Sequence, residues 1–161
     1  MRPPPLLVLA VGNPSRGDDA LGTLFLERAQ ARLADAERAG DVEFLTDFQL
    51  QPEHALDLVG RRLVVFVDAS TRATLPYECL RVEPARDASF STHALSPAAV
   101  LDTFRRICGE PPESYVLAIR GERFELGEGL SEAAEAHLDA AVTYFVTRFG
   151  VGSPGWRCAA G

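Results

Sequence analysis

The chain has 161 residues, the length of one ordinary domain, and size scaling buries about 69% of its unfolded surface without help from disulfides. Hydrophobic residues make up 47% and charged residues 24%, a balance that excludes a disordered chain, and no apolar run is long enough to span a membrane. The net charge of −7 argues against a nucleic-acid partner, and all 16 basic residues are Arg, so Schiff-base chemistry, a Walker-type phosphate loop and a protein-kinase site are excluded.

Leu6–Val11 is a continuous apolar run stopped by Gly12, the mark of a strand buried on both faces. It is too short for the apolar core of a secretion signal. Either Asp18 or Asp19 suits the cap of a following helix that carries Leu21, Leu24, Phe25 and Ala29 and ends near Gly40. Val42–Leu45 reads as a short strand, and Pro52 as the first turn of a short helix closing at Gly60. Leu63–Val67 is the strongest strand signal and runs straight into Asp68.

Tyr77–Glu83 alternates in polarity, as expected of a strand near a sheet edge, wet on one side and a candidate for the antiparallel member. Ser96-Pro97 is a cap followed by proline at the first helical position, opening a helix to about Cys108. Tyr115–Ile119 is another buried strand. Ser131 opens a last helix with Leu138, Ala141, Val142, Phe145 and Phe149 on its apolar face. The expected fold class is α/β: a three-layer α/β/α sandwich on a mostly parallel twisted sheet of about five strands, one of them antiparallel. The domain spans residues 1–150, and residues 151–161 read as a flexible tail.

A strand order starting 2-1-3 creates a switch point between the first and third strands, where ligands favour the carboxyl ends. Asp19 and Asp68 are both expected at that end. The loop Gly12-Asn13-Pro14-Ser15-Arg16-Gly17 lacks the spacing of a dinucleotide fingerprint, and two carboxylates after it favour a cation over a phosphate. A carboxylate at the end of five apolar residues, as Asp68 is, must be paired, capped or metal-bound. His93 lies on a loop three residues before Ser96, long enough to return to the two aspartates. Two carboxylates and an imidazole suit nickel, zinc, cobalt or manganese without choosing among them. His54 and His137 read as surface residues. Cys79 and Cys108 read as buried fillers and Cys158 as a tail thiol; this odd, unclustered set fits a reducing cytoplasm.

Val11-Gly12-Asn13-Pro14, Arg16-Gly17-Asp18-Asp19, Val67-Asp68-Ala69, Ser91-Thr92-His93 and Glu125-Leu126-Gly127-Glu128-Gly129-Leu130-Ser131 resemble, in this order, the motifs of the hydrogenase maturation endopeptidases. The resemblance covers Leu6 to Phe149. It implies a cytoplasmic protease, acting as a monomer, that trims the C-terminus of a nickel–iron hydrogenase large-subunit precursor. It also implies that Asp19, Asp68 and His93 are the catalytic and metal-contacting residues, meeting a nickel ion that arrives with the precursor. Many members have Gly where this chain has Ala20, and Asp-Gly-Gly-Thr where it has Thr46-Asp47-Phe48-Gln49-Leu50-Gln51. The latter stretch resembles a subset serving cytoplasmic, cofactor-linked hydrogenases and implies a different precursor preference, with Asp47 and Gln49 given no assigned role.

Two rivals share parts of the pattern. A receiver-like signalling domain has paired acids after its first strand and an Asp ending its third, but needs a Lys that is missing here. A peptidyl-tRNA hydrolase-like esterase shares Gly-Asn-Pro but not the His-Asn that follows it, and an acidic chain suits tRNA badly.

Overall fold

The computed structural model describes residues 2–86 and 95–150. In chain order the elements are β1 (Leu6–Val11), a 3₁₀ turn (Gly17–Ala20), α1 (Leu21–Arg32), α2 (Ala34–Arg38), β2 (Val42–Asp47) and α3 (His54–Asp57). They continue with β3 (Leu63–Ser70), β4 (Tyr77–Arg81), α4 (Pro97–Cys108), β5 (Glu113–Arg120) and α5 (Glu132–Phe149). The five strands form one sheet in the order β2-β1-β3-β5-β4. β1 runs parallel to both β2 and β3, and β3 parallel to β5; β4 is antiparallel, on the edge beside β5. The expected α/β sandwich and the alternating edge strand are both present.

The period of two along each strand divides the core between the two faces. Leu6, Val8 and Ala10 of β1 and Leu63, Val65 and Val67 of β3 face α1 and α5. Leu7, Leu9 and Val11 with Val64 and Phe66 face Ala55 and Leu58 near α3 and Val100, Leu101 and Phe104 of α4. Both faces of β1 and β3 are covered, which is why they read as unbroken apolar runs. On the first face Phe25 and Phe145 pack edge-to-face, centroids 5.3 Å apart at 80°, and Arg28 of α1 reaches Glu135 and Asp139 of α5. Among the described residues no helix is long and apolar enough to cross a membrane.

One expected helix is different. The segment from Asp18 to Gly40 is a 3₁₀ turn followed by two helices, broken at Leu33, whose backbone (φ −115°, ψ 26°) leaves the helical region. The bend packs Leu33 against the α1–α5 core and leaves α2 with no buried residue. Neither Asp18 nor Asp19 caps a helix, since the residues flanking the turn and α1 make no side-chain cap bond. Ser96 and Ser131, by contrast, cap α4 and α5 as the sequence predicts, accepting from the Ala99 and Ala134 N–H groups.

Candidate functional site

The chain leaves β1 toward β2 on one side and crosses back to β3 on the other, so the carboxyl ends of β1 and β3 open the crevice expected at the switch point. A cavity of ≈ 520 Å³ lies there, and Asp19, Asp68, Phe48, Gln49, Ser96 and Pro97 are among its lining residues. The apolar ends of β1, β3 and β5 form the floor with Leu9, Val11, Phe66 and Val116. Asp68 follows Val64 and Phe66 in alternation and so opens toward the α3–α4 face, beneath the N-terminus of α4.

The two adjacent aspartates have different surroundings. Asp19 turns into the cavity, half-buried, with its Oδ2 accepting from the Asn13 N–H at 2.9 Å. Asp18 is 0% exposed and faces the other way. Its Oδ2 accepts from the Glu122 and Arg123 N–H groups at 2.6 and 3.0 Å and from the Ser131 hydroxyl at 2.8 Å; its Oδ1 accepts from the Ser131 N–H at 2.8 Å. Burial pushes the Asp18 carboxyl up, but these four bonds together hold it below the ordinary value. Asp18 therefore ties the loop after β1 to the segment before α5, a structural role that sequence reasoning missed. The sequence signal was Ser131 in the Glu125–Ser131 motif, 113 residues from Asp18.

Gly12 stands where these parts meet. Its φ of +149° suits glycine, and a Cβ would fall on the Asp19 carbonyl oxygen. The bare backbone lets the Asp19 turn pack onto the end of β1.

Asp68 is exposed to solvent at the cleft, yet neighbouring protein atoms crowd its carboxyl and thin its hydration. That desolvation raises its pKa to about 7; the Ala69 N–H, bonded to Oδ1 at 2.8 Å, lowers it, and the Asp19 charge raises it further. Two carboxylates facing one poorly solvated cleft repel each other, and a shared divalent cation would relieve both the repulsion and the lost hydration. The donor set fits such an ion.

His93 lies outside the described residues, as do residues 151–161 and Cys158. Among the described residues no third His, Cys, Asp or Glu completes a metal cluster. The two other histidines are not the surface residues expected. His54 is 9% exposed: its Nδ1 accepts from the Gln51 N–H at 2.8 Å, and its Nε2 lies 3.3 Å from Asp47 Oδ2. The loop between β2 and α3 folds over the ring and buries it. His137 is half-buried, with Nδ1 2.8 Å from the Arg120 carbonyl oxygen. Cys108 is exposed near the end of α4 and Cys79 is half-buried on edge strand β4, so Cys108 is no core filler. Gln49 lines the main cavity, whereas Asp47 lines a smaller neighbouring one.

In sequence alone the chain matches no family model and no curated protein. In structure it is similar to the hydrogenase maturating endopeptidase HybD from E. coli, at 25% identity, TM-score 0.68 and 92% coverage of each chain. It is also similar to an endopeptidase from Escherichia coli, at 27% identity and TM-score 0.66, covering 91% of this chain and 90% of that one. The [NiFe] hydrogenase maturation protease HycI from Thermococcus kodakarensis KOD1 shares the fold at 24% identity and TM-score 0.67, over 87% and 88% of the two chains. These likenesses, at 25% and 27% identity over nine-tenths of the chain, support the resemblance to hydrogenase maturation endopeptidases that the ordered motifs carry.

Proposed function

We propose that the protein is an endopeptidase that removes the C-terminal extension of a nickel-loaded nickel–iron hydrogenase large-subunit precursor, with Asp19, Asp68 and His93 contacting the metal. The observation that carries this reading is the pairing of Asp19 and Asp68 in one cleft at the switch point. His93 comes from the resemblance; Leu95, where the described chain resumes, lines the same cavity.

The nickel belongs to the substrate. Asp19 and Asp68 supply oxygen ligands, and Asp68 gives up its proton on binding because a ligating carboxylate must be ionised. Asn13 and Ala69 donate backbone N–H groups that orient the two carboxylates. Among the described residues no side chain in the cleft is paired with a base that would activate it as a nucleophile, so hydrolysis depends on the ion, which can polarise the scissile carbonyl or acidify a bound water. A precursor without nickel then presents neither an anchor nor an activator.

The test incubates the full chain with nickel-loaded and nickel-free large-subunit precursors and follows the size shift. Only the loaded precursor should be trimmed. Asp68→Asn should remain folded and lose trimming, while Cys108→Ser, on the exposed end of α4, should trim normally. Trimming of the loaded precursor by folded Asp68→Asn at the wild-type rate would sink the proposal.

A further inference from the structure

Phe48 follows Asp47 at the end of β2, and its ring is 68% exposed. Leaving a large aromatic ring in water forgoes the stabilisation its burial would bring, and such rings concentrate at binding sites. Among the described residues it is an exposed aromatic that lines the main cavity. It lines a second, open cavity too, one of ≈ 320 Å³ bordered by Gly12, Pro14, Thr23, Thr46, Asp47 and Phe48. Gly12 and Phe48 thus border both spaces, so the second adjoins the cleft lined by Asp19 and Asp68. Its lining is mostly apolar, with Pro14 and Phe48 among the residues around it.

The ridge is held firmly from behind. The Phe48 N–H donates to Asp47 Oδ1 at 2.7 Å, and the Asp47 carbonyl accepts from the Gly12 N–H at 3.1 Å. On the far side of the loop, the Gln51 N–H donates to His54 Nδ1. That leaves Nε2–H to face Asp47 Oδ2. The contact between buried His54 and half-exposed Asp47 therefore ties both ends of the short segment that presents Phe48. A preorganised aromatic loses little entropy when a ligand covers it.

We propose that Phe48 and the adjoining pocket form a specificity subsite that takes one aliphatic side chain of the substrate peptide next to the scissile bond. The inference rests on the endopeptidase reading, since it is a peptide seated at Asp19 and Asp68 that must continue along the cleft. Gly12 and Phe48 line both spaces, so a peptide continuing along the cleft from Asp19 and Asp68 passes beside this pocket. Asp47, a half-exposed acid that also lines the pocket, disfavours an acidic side chain there.

The test uses a readout independent of cleavage. The isotope-labelled full chain is titrated with two blocked pentapeptides, alanines flanking a central Leu in one and a central Gly in the other. The Leu peptide should shift the amide signals of Gly12, Thr23, Thr46, Asp47 and Phe48 and bind more tightly than the Gly peptide. Phe48→Ala should weaken the Leu peptide roughly tenfold, with an unchanged melting temperature because the ring is exposed; Phe48→Leu should restore most of the binding. Equal binding of the Leu peptide by wild type and Phe48→Ala, shifts confined to another surface, or a Phe48-dependent dimer that hides the pocket would overturn the subsite. Binding of the Leu peptide as described, without trimming of nickel-loaded precursor, would support the subsite while sinking the endopeptidase reading.

Discussion

Asp18 and Asp19 are chemically identical neighbours, and the backbone turn between them sends one into the protein and the other into the cleft. Asp18 accepts four hydrogen bonds from Glu122, Arg123 and Ser131, whereas Asp19 accepts one from Asn13 and keeps the rest of its carboxylate for the cavity. Replacing each by Asn should therefore fail in a different way. Asp18→Asn would turn an amide NH₂ toward groups that are themselves donors, and the unmet bonds should lower stability by about 2–3 kcal/mol. In Asp19→Asn the amide oxygen can still accept from Asn13, so that variant should unfold like wild type yet lose precursor trimming. Urea unfolding together with the trimming assay checks both; an Asp18→Asn chain as stable as wild type would refute the structural role. The sequence singled out this acidic pair and Asp68, because an unpaired charge beside an apolar strand demands a reason. It did not show which acid does what, since the partners of Asp18 lie more than 100 residues away in the chain.

Ser96 and Ser131 occupy the same position at the start of α4 and α5, but Ser131 also donates its hydroxyl to Asp18. Replacing Ser96 by Ala should remove a cap and lower stability by about 1 kcal/mol. Ser131→Ala should cost about 2–3 kcal/mol, because a buried carboxylate loses a donor along with the cap. Chemical denaturation of both variants would decide it, and a Ser131→Ala loss of no more than about 1 kcal/mol, that of a cap alone, would show the Asp18 contact to be idle. Both caps were legible in advance because capping is local: the serine, the proline at the first helical position of α4 and the apolar spacing sit within one turn of each other. The edge strand β4 was legible for a similar reason, its alternation recording one wet face. The break at Leu33 was not, because it is set by packing between α1 and α5, and the residues around it are good helix formers on both sides. The burial of His54 was hidden likewise, since its partners Gln51 and Asp47 meet it only when the loop after β2 folds back.

At the scale of the whole molecule, Asp18 and Asp68 make opposite demands on pH. Asp18 has its carboxyl held below the ordinary value in the folded chain. Its contribution is therefore present above the unfolded pKa of 3.8 and is lost as pH falls through the lower folded value. Asp68 is raised from 3.8 to about 7. Between those values the folded chain holds a proton that the unfolded chain releases, so the contribution of this group is full below 3.8 and disappears as pH rises through about 7. Together the two acids favour a mildly acidic stability maximum in the protein alone, where Asp18 is ionised and Asp68 is still protonated. Above that range Asp68 carries a charge that its surroundings and Asp19 disfavour in the protein alone. Asp68→Asn removes the titration with almost no change in volume. Its melting temperature should match that of wild type near pH 4 and exceed it by a growing margin toward about pH 8, with the wild-type curve falling most steeply around the raised pKa. Melting curves of both proteins across this range, without metal or precursor, make the comparison; a difference that stays constant from the acidic to the alkaline end would mean that Asp68 is ionised throughout.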